Sequence, residues 1–180
     1  MNEEQKNRIE EIFRVSNSSE EIFDAVIESI NEKIKDLDLY KILLANTVLS
    51  DDEIIMYTEK LCKEFKEFCK ELYVWTAGLF ENKCEDYSCI ENAVNYYKKA
   101  IQKEPEDYLT YLRLLKLYNY EINLPINSTI IEVISANADK VKLRSKIYYA
   151  LANHYKKLGD LYYQRKYLRL AEKYRLTGNQ

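Results

Sequence analysis

The residues of this 180-residue chain that could do chemistry are four cysteines, one histidine and two basic stretches rich in tyrosine. A structural zinc site takes two tight Cys/His pairs. Cys84 and Cys89 make one loose pair with four residues between them, and His154 is the sole histidine. Cys62 and Cys69 stand one heptad apart, on one face of a helix, where cysteine acts as a small hydrophobe. This set predicts no metal site. His154 lies in helical sequence beside Tyr155, a setting that suits a surface or packing histidine better than a base. There is no Gly-rich phosphate loop, no HExxH and no Ser/His/Asp constellation. The acidic doublets Glu10-Glu11 and Asp51-Asp52 belong at helix starts and on exposed faces. The expectation is a protein that is not an enzyme and needs no cofactor.

The basic stretches are Tyr96 to Pro105 (YYKKAIQKEP) and Tyr162 to Arg175 (YYQRKYLRLAEKYR). Tyrosines interleaved with lysine and arginine are what base stacking plus phosphate contact requires. Charge is distributed unevenly: the net is −7 over residues 1–70, −4 over 71–140 and +8 over 141–180. A basic end on an acidic chain calls for an anionic partner or a head-to-tail contact with an acidic neighbour. Against nucleic acid stand the sequence pI near 5.5 and the heptad spacing of Tyr167 and Tyr174, which is that of helix packing.

The elements that must carry these residues are helices. With 3 Gly and 2 Pro, the chain lacks the turn chemistry that strands need. A hydrophobic fraction of 47% suffices for a core. Capping boxes at Ser18/Glu21 and Ser50/Glu53 mark two helix starts. The periodicity predicts helices over about 3–14, 19–35, 39–49, 51–82, 89–103, 107–120, 128–139, 142–157 and 161–175. The stripe Cys62, Phe65, Cys69, Leu72, Thr76, Leu79, flanked by Leu61, Phe68 and Trp75, reads as one unusually long helix with broad burial. No secretory signal or membrane-length apolar run is visible, so the expectation is a cytoplasmic protein with reduced thiols.

Within these helices a pattern recurs. Ala93, Tyr97, Ala100 and Pro105 run small, aromatic, small, then proline at the exit. Tyr111, Leu114 and Tyr118 open the next hairpin. Tyr148, Leu151, Ala152 and Tyr155, then Gly159, Leu168 and Ala171, make the clearest copy. Small residues let paired helices approach and aromatics fill the holes between pairs. The pattern resembles the tetratricopeptide repeat (TPR), with about three units over roughly residues 70–175. Leu115 stands where the family has a small residue, and Gln164 where it has alanine.

The resemblance implies an all-α fold of antiparallel helical hairpins stacked as a right-handed solenoid. Residues 1–50 would form a helical capping segment and residues 51–180 the repeat region, as one structural domain. It also implies a concave groove that binds a peptide. The family's groove positions fall here on Leu109, Leu112, Arg113, Lys116 and Asn119, and on Lys146, Tyr149, Asn153 and Lys156. This set holds four cations and two amides but no acid, which suits an acidic segment. The carboxylate clamp of the chaperone-binding subset is incomplete, because Ala150 stands where its arginine would be. The expected role is thus a protein-interaction adaptor or scaffold without a membrane partner. The alternatives are nucleic-acid binding through the basic C-terminal helices and a homodimer through the C-terminal end.

Overall fold

A computed structural model describes residues 3–83 and 87–176, which include helices and no strand. The Cys84 end of the Cys84/Cys89 pair and the tail 177–180 lie outside the described residues. The chain divides into two compact units, Met1–Leu79 and Phe80–Gln180.

The first unit holds α1 (Glu3–Val15), α2 (Ser19–Asn31), α3 (Leu37–Leu44), α4 (Asp51–Glu64) and most of α5 (Cys69–Asn82). Its helix starts follow from local chemistry. The Ser18 hydroxyl accepts from the amide of Glu21, Asp36 accepts from those of Asp38 and Leu39, and Ser50 with Glu53 completes a reciprocal capping box. α1 packs on α2 and α3, and α3 packs on α4. Ile9, Phe13, Ile22, Val26, Leu39, Tyr40, Leu43, Ile54, Tyr57, Leu61 and Leu72 form the core. α3 ends earlier than its apolar run suggests. The Asn46 amide leaves the helix to donate to the carbonyls of Phe13 and Ser16, at 3.0 and 3.1 Å.

The single helix expected over 51–82 is corrected to a hairpin. At Phe65 the backbone turns (φ −118°, ψ 76°), a 3₁₀ turn covers Lys66–Phe68, and α5 returns along α4. The hydroxyls of Thr58 and Thr76 meet at 2.8 Å in the buried interface, and the Cys69 thiol donates to the Cys62 carbonyl at 3.0 Å. The apolar stripe stays in phase across the turn, and no Gly or Pro marks it. The width of the stripe has a physical meaning: its two halves bury against each other and against α3. Phe65 stacks on Tyr40 with ring centroids 5.2 Å apart.

The second unit holds α6 (Tyr87–Lys103), α7 (Tyr108–Lys116), α8 (Pro125–Asn137), a 3₁₀ turn at Ala138–Lys140, α9 (Arg144–Lys157) and α10 (Leu161–Leu176). α7 packs on α6, α8 and α9, α6 also packs on α8, and α9 pairs with α10. The small residues Ala93, Ala100, Ala152 and Ala171 are all buried, as close helix approach demands. α7 ends at Lys116, short of the expected residue 120, and α8 begins at Pro125 rather than 128. Proline is accommodated at a helix start, where its missing N–H has no partner to lose. The loop between them is laced by two asparagines. Asn127 donates to the carbonyls of Asn119 and Ile122, while the Asn119 side chain accepts from the amides of Glu121 and Ile122.

The α9–α10 turn needs one left-handed residue, and Gly159 supplies it with φ +73°. Asp160 donates its amide to Tyr155 at 2.9 Å, and its side chain caps α10 through the amide of Tyr163. No atom lies within 4 Å of the position a Cβ would take at Gly159, so a substitution there is felt by the backbone alone. Gly159→Ala is expected to cost about 1 kcal/mol, read as a lowered urea midpoint, with Gly159→Asn milder. An unchanged midpoint in Gly159→Ala would contradict this account of the turn.

Candidate functional site

The cations and amides singled out in the sequence fall on α7, on α9 and in the loop that follows α7. Arg113 and Lys116 are exposed on α7, and Lys146, Asn153 and Lys156 are exposed on α9, the helix packed beside it. Leu109 is half exposed, and Leu112 and Tyr149 are partly covered. Neither helix contains an acidic residue. Asn119 lies past the end of α7 and is taken up by the loop lacing.

Two of the cations have neighbours that orient them. The Lys146 ammonium sits 5.6 Å from the centroid of the Tyr108 ring. Arg113 lies beside the Tyr97 phenol, which donates to the Glu81 carboxylate at 2.7 Å. Burial and Glu81 push that phenol well up, and Arg113 opposes them. Among the described residues Lys116, Asn153 and Lys156 make no side-chain hydrogen bond or ion pair. Their donors are open to a ligand.

His154 is on α9 but belongs to the interior, at 2% exposure. The Tyr120 hydroxyl lies 2.9 Å from its Nδ1, and the Tyr118 ring meets its imidazole edge-on at 4.4 Å. Burial, helped by the nearby Lys157 ammonium, pushes the imidazole down to about 4. At neutral pH it is an uncharged packing group. Its partner Tyr120 carries no sequence signal, since it lies in an irregular loop.

The basic stretch at residues 162–175 is split between opposite faces of α10. Tyr163, Tyr167 and Tyr174 turn toward α9 and stack with Tyr155 and Tyr148. Tyr162, Arg165 and Arg169 point outward. Most of the rings are therefore taken up by stacking against α9, and the outward side presents Tyr162 with Arg165 and Arg169.

Cys62, Cys69 and Cys89 are buried thiols, and burial pushes the Cys62 thiol up, away from the reactive thiolate. Among the described residues no group of three His, Cys, Asp or Glu side chains is placed to hold a metal, and no helix is long and apolar enough to cross a membrane. No family model matches this chain, and comparison with curated proteins and with solved structures finds no match.

The His154 environment has a pH signature. Its folded-state value lies below the ordinary imidazole value of 6.5, so between about 4 and 6.5 the unfolded chain binds the extra proton. Stability from this site is complete above pH 6.5 and falls as pH drops toward 4, by up to about 3 kcal/mol. Urea unfolding of the wild type and of His154→Gln across this range should show the difference in stability shrinking as pH falls. A pH-independent difference would contradict a buried, neutral His154.

Proposed function

We propose that this protein is a non-enzymatic interaction module, an adaptor or scaffold of the TPR type. In this reading the α7–α9 face takes an acidic peptide segment. The observation that carries it is the pairing of two acid-free helices that present Arg113, Lys116, Lys146, Asn153 and Lys156 outward. Lysine and arginine bond carboxylates with charge assistance, and asparagine can clamp a peptide backbone. The repeat reading is supported by the way α7 packs on both its chain neighbours and on α9, while α6 packs on α8. That neighbour-and-next arrangement is how stacked helical hairpins bury their shared faces. The buried thiols Cys62 and Cys69 fit a reducing, cytoplasmic setting.

Nucleic-acid binding is the rival reading and rests on the +8 charge of residues 141–180. Filter binding against salt separates the two, because phosphate contacts impose a steep salt slope. The peptide reading expects no such slope with RNA or DNA.

The test of the face is Lys116→Glu combined with Lys156→Glu. Both sites are exposed, so thermal stability should change little, within about 0.5 kcal/mol. Pulldown from source lysate, read by mass spectrometry, should lose the partners captured by the wild type. Undiminished capture by the double variant rejects the α7–α9 face.

A further inference from the structure

α10 has two dissimilar sides. The inner side is consumed by the fold: Tyr167 and Ala171 are buried, and Tyr163 and Tyr174 are stacked on α9. The outer side leaves Leu161, Tyr162 and Leu176 at 60%, 72% and 79% exposure. A shallow groove of about 630 Å³ runs along this side, lined by Leu161, Tyr162, Arg165, Lys166, Arg169 and Leu170. Three of these residues are apolar, three are cationic and none is acidic. Lys166 is committed to the faces of Tyr163 and Tyr167. Among the described residues Arg165 and Arg169 have no ion-pair partner.

We propose that the outer face of α10 is a second docking surface, separate from the α7–α9 face, and that its occupant is an acidic amphipathic helix of a partner protein. The groove follows α10 from Leu161 to Leu170, about 15 Å of helix, enough to seat nearly three turns of a partner helix. Apolar anchors of such a helix meet Leu161, Tyr162 and Leu170, and its carboxylates meet Arg165 and Arg169 in charge-assisted bonds. The chemistry of the groove selects this occupant over others. A bilayer surface takes a continuous apolar face, and here Arg165 and Arg169 interrupt Leu161, Tyr162 and Leu170. A nucleic acid would find Tyr162 open and Tyr163 already stacked on Tyr155 beneath Lys166, where single-strand binding uses several open rings. A second copy of this chain has acidic helices, α1 and α2, but Ile9, Phe13, Ile22, Ala25 and Val26 are buried in its own core, which leaves the exposed Val15 and Phe23 as single apolar residues on separate helices rather than an apolar face.

The probe is a fluorescein-labelled helical peptide of leucine and glutamate with one apolar face, followed by fluorescence anisotropy on the full chain. The peptide should bind the wild type. In the Lys116→Glu, Lys156→Glu background, where the α7–α9 face no longer takes an acidic segment, the peptide should still bind, and adding Arg165→Glu with Arg169→Glu should weaken it at least about tenfold, as should adding Tyr162→Asp. Circular dichroism and the urea midpoint verify that each variant is folded. The proposal is overturned if the peptide fails to bind, or binds that background equally once Arg165→Glu and Arg169→Glu are added. It is also overturned if a scrambled peptide of the same composition binds as tightly, or if oligouridylate or phosphatidylserine vesicles displace the peptide from Arg165 and Arg169. Loss of peptide binding in the Lys116/Lys156 double variant would assign the probe to the α7–α9 face and overturn the proposal as well.

Discussion

Between α9 and α10 the rings of Tyr174, Tyr148, Tyr167, Tyr155 and Tyr163 form a continuous stack, and the character of the C-terminal end depends on it. Successive rings lie 4.9–6.1 Å apart and nearly parallel, with interplanar angles of 13–24°. Tyrosine buries a large apolar body while keeping a polar tip. The ring faces that remain available attract cations: Arg144 and Lys173 lie over Tyr174, and Lys166 lies over Tyr163 and Tyr167. Such a contact holds a cation without neutralising it. Residues 141–176 can therefore carry ten bases against two acids and still pack as a tight hairpin.

The first unit handles charge differently. Lys6 pairs with Asp36, Arg8 with Glu28 and Lys35 with Glu67, each joining separate parts of the chain. Exposed pairs of this kind contribute ~0–1 kcal/mol each. The unit is held instead by its core, in which Phe13, Tyr40 and Tyr57 are almost wholly enclosed, each worth about 1.5–3 kcal/mol of burial for a large side chain. Ion pairs engage part of the charge in one unit, and ring faces hold cations without neutralising them in the other.

Much of this could be read from residue order. Ser18 and Ser50 cap helices where their spacing to Glu21 and Glu53 says they should, and Gly159 makes the turn that its position suggests. The break at Phe65 was invisible because periodicity reports the phase of a stripe, and a hairpin can keep that phase as well as a straight helix can. The ends of α7 and α8 were missed because Asn119 and Asn127 act on backbone groups up to eight residues away, a pairing no helical period encodes. The α7–α9 cations came from a family register, which Arg113, Lys116, Lys146, Asn153 and Lys156 follow onto exposed positions and Asn119 does not. The two faces of α10 are implicit in its sequence, yet interleaved tyrosines and cations read as one basic-aromatic patch until the inward rings find α9.

The enclosure of His154 has a consequence for the electrostatic field of this end of the molecule. It is the sole histidine, burial holds it neutral down to about pH 4, and burial also raises Tyr155 to about 12. The one side chain whose ordinary value falls in the range in which cells vary their acidity therefore adds no charge to this end. Ionic strength, through the Debye length of about 8 Å at physiological salt, is a solution variable that screens the positive potential of the basic helices.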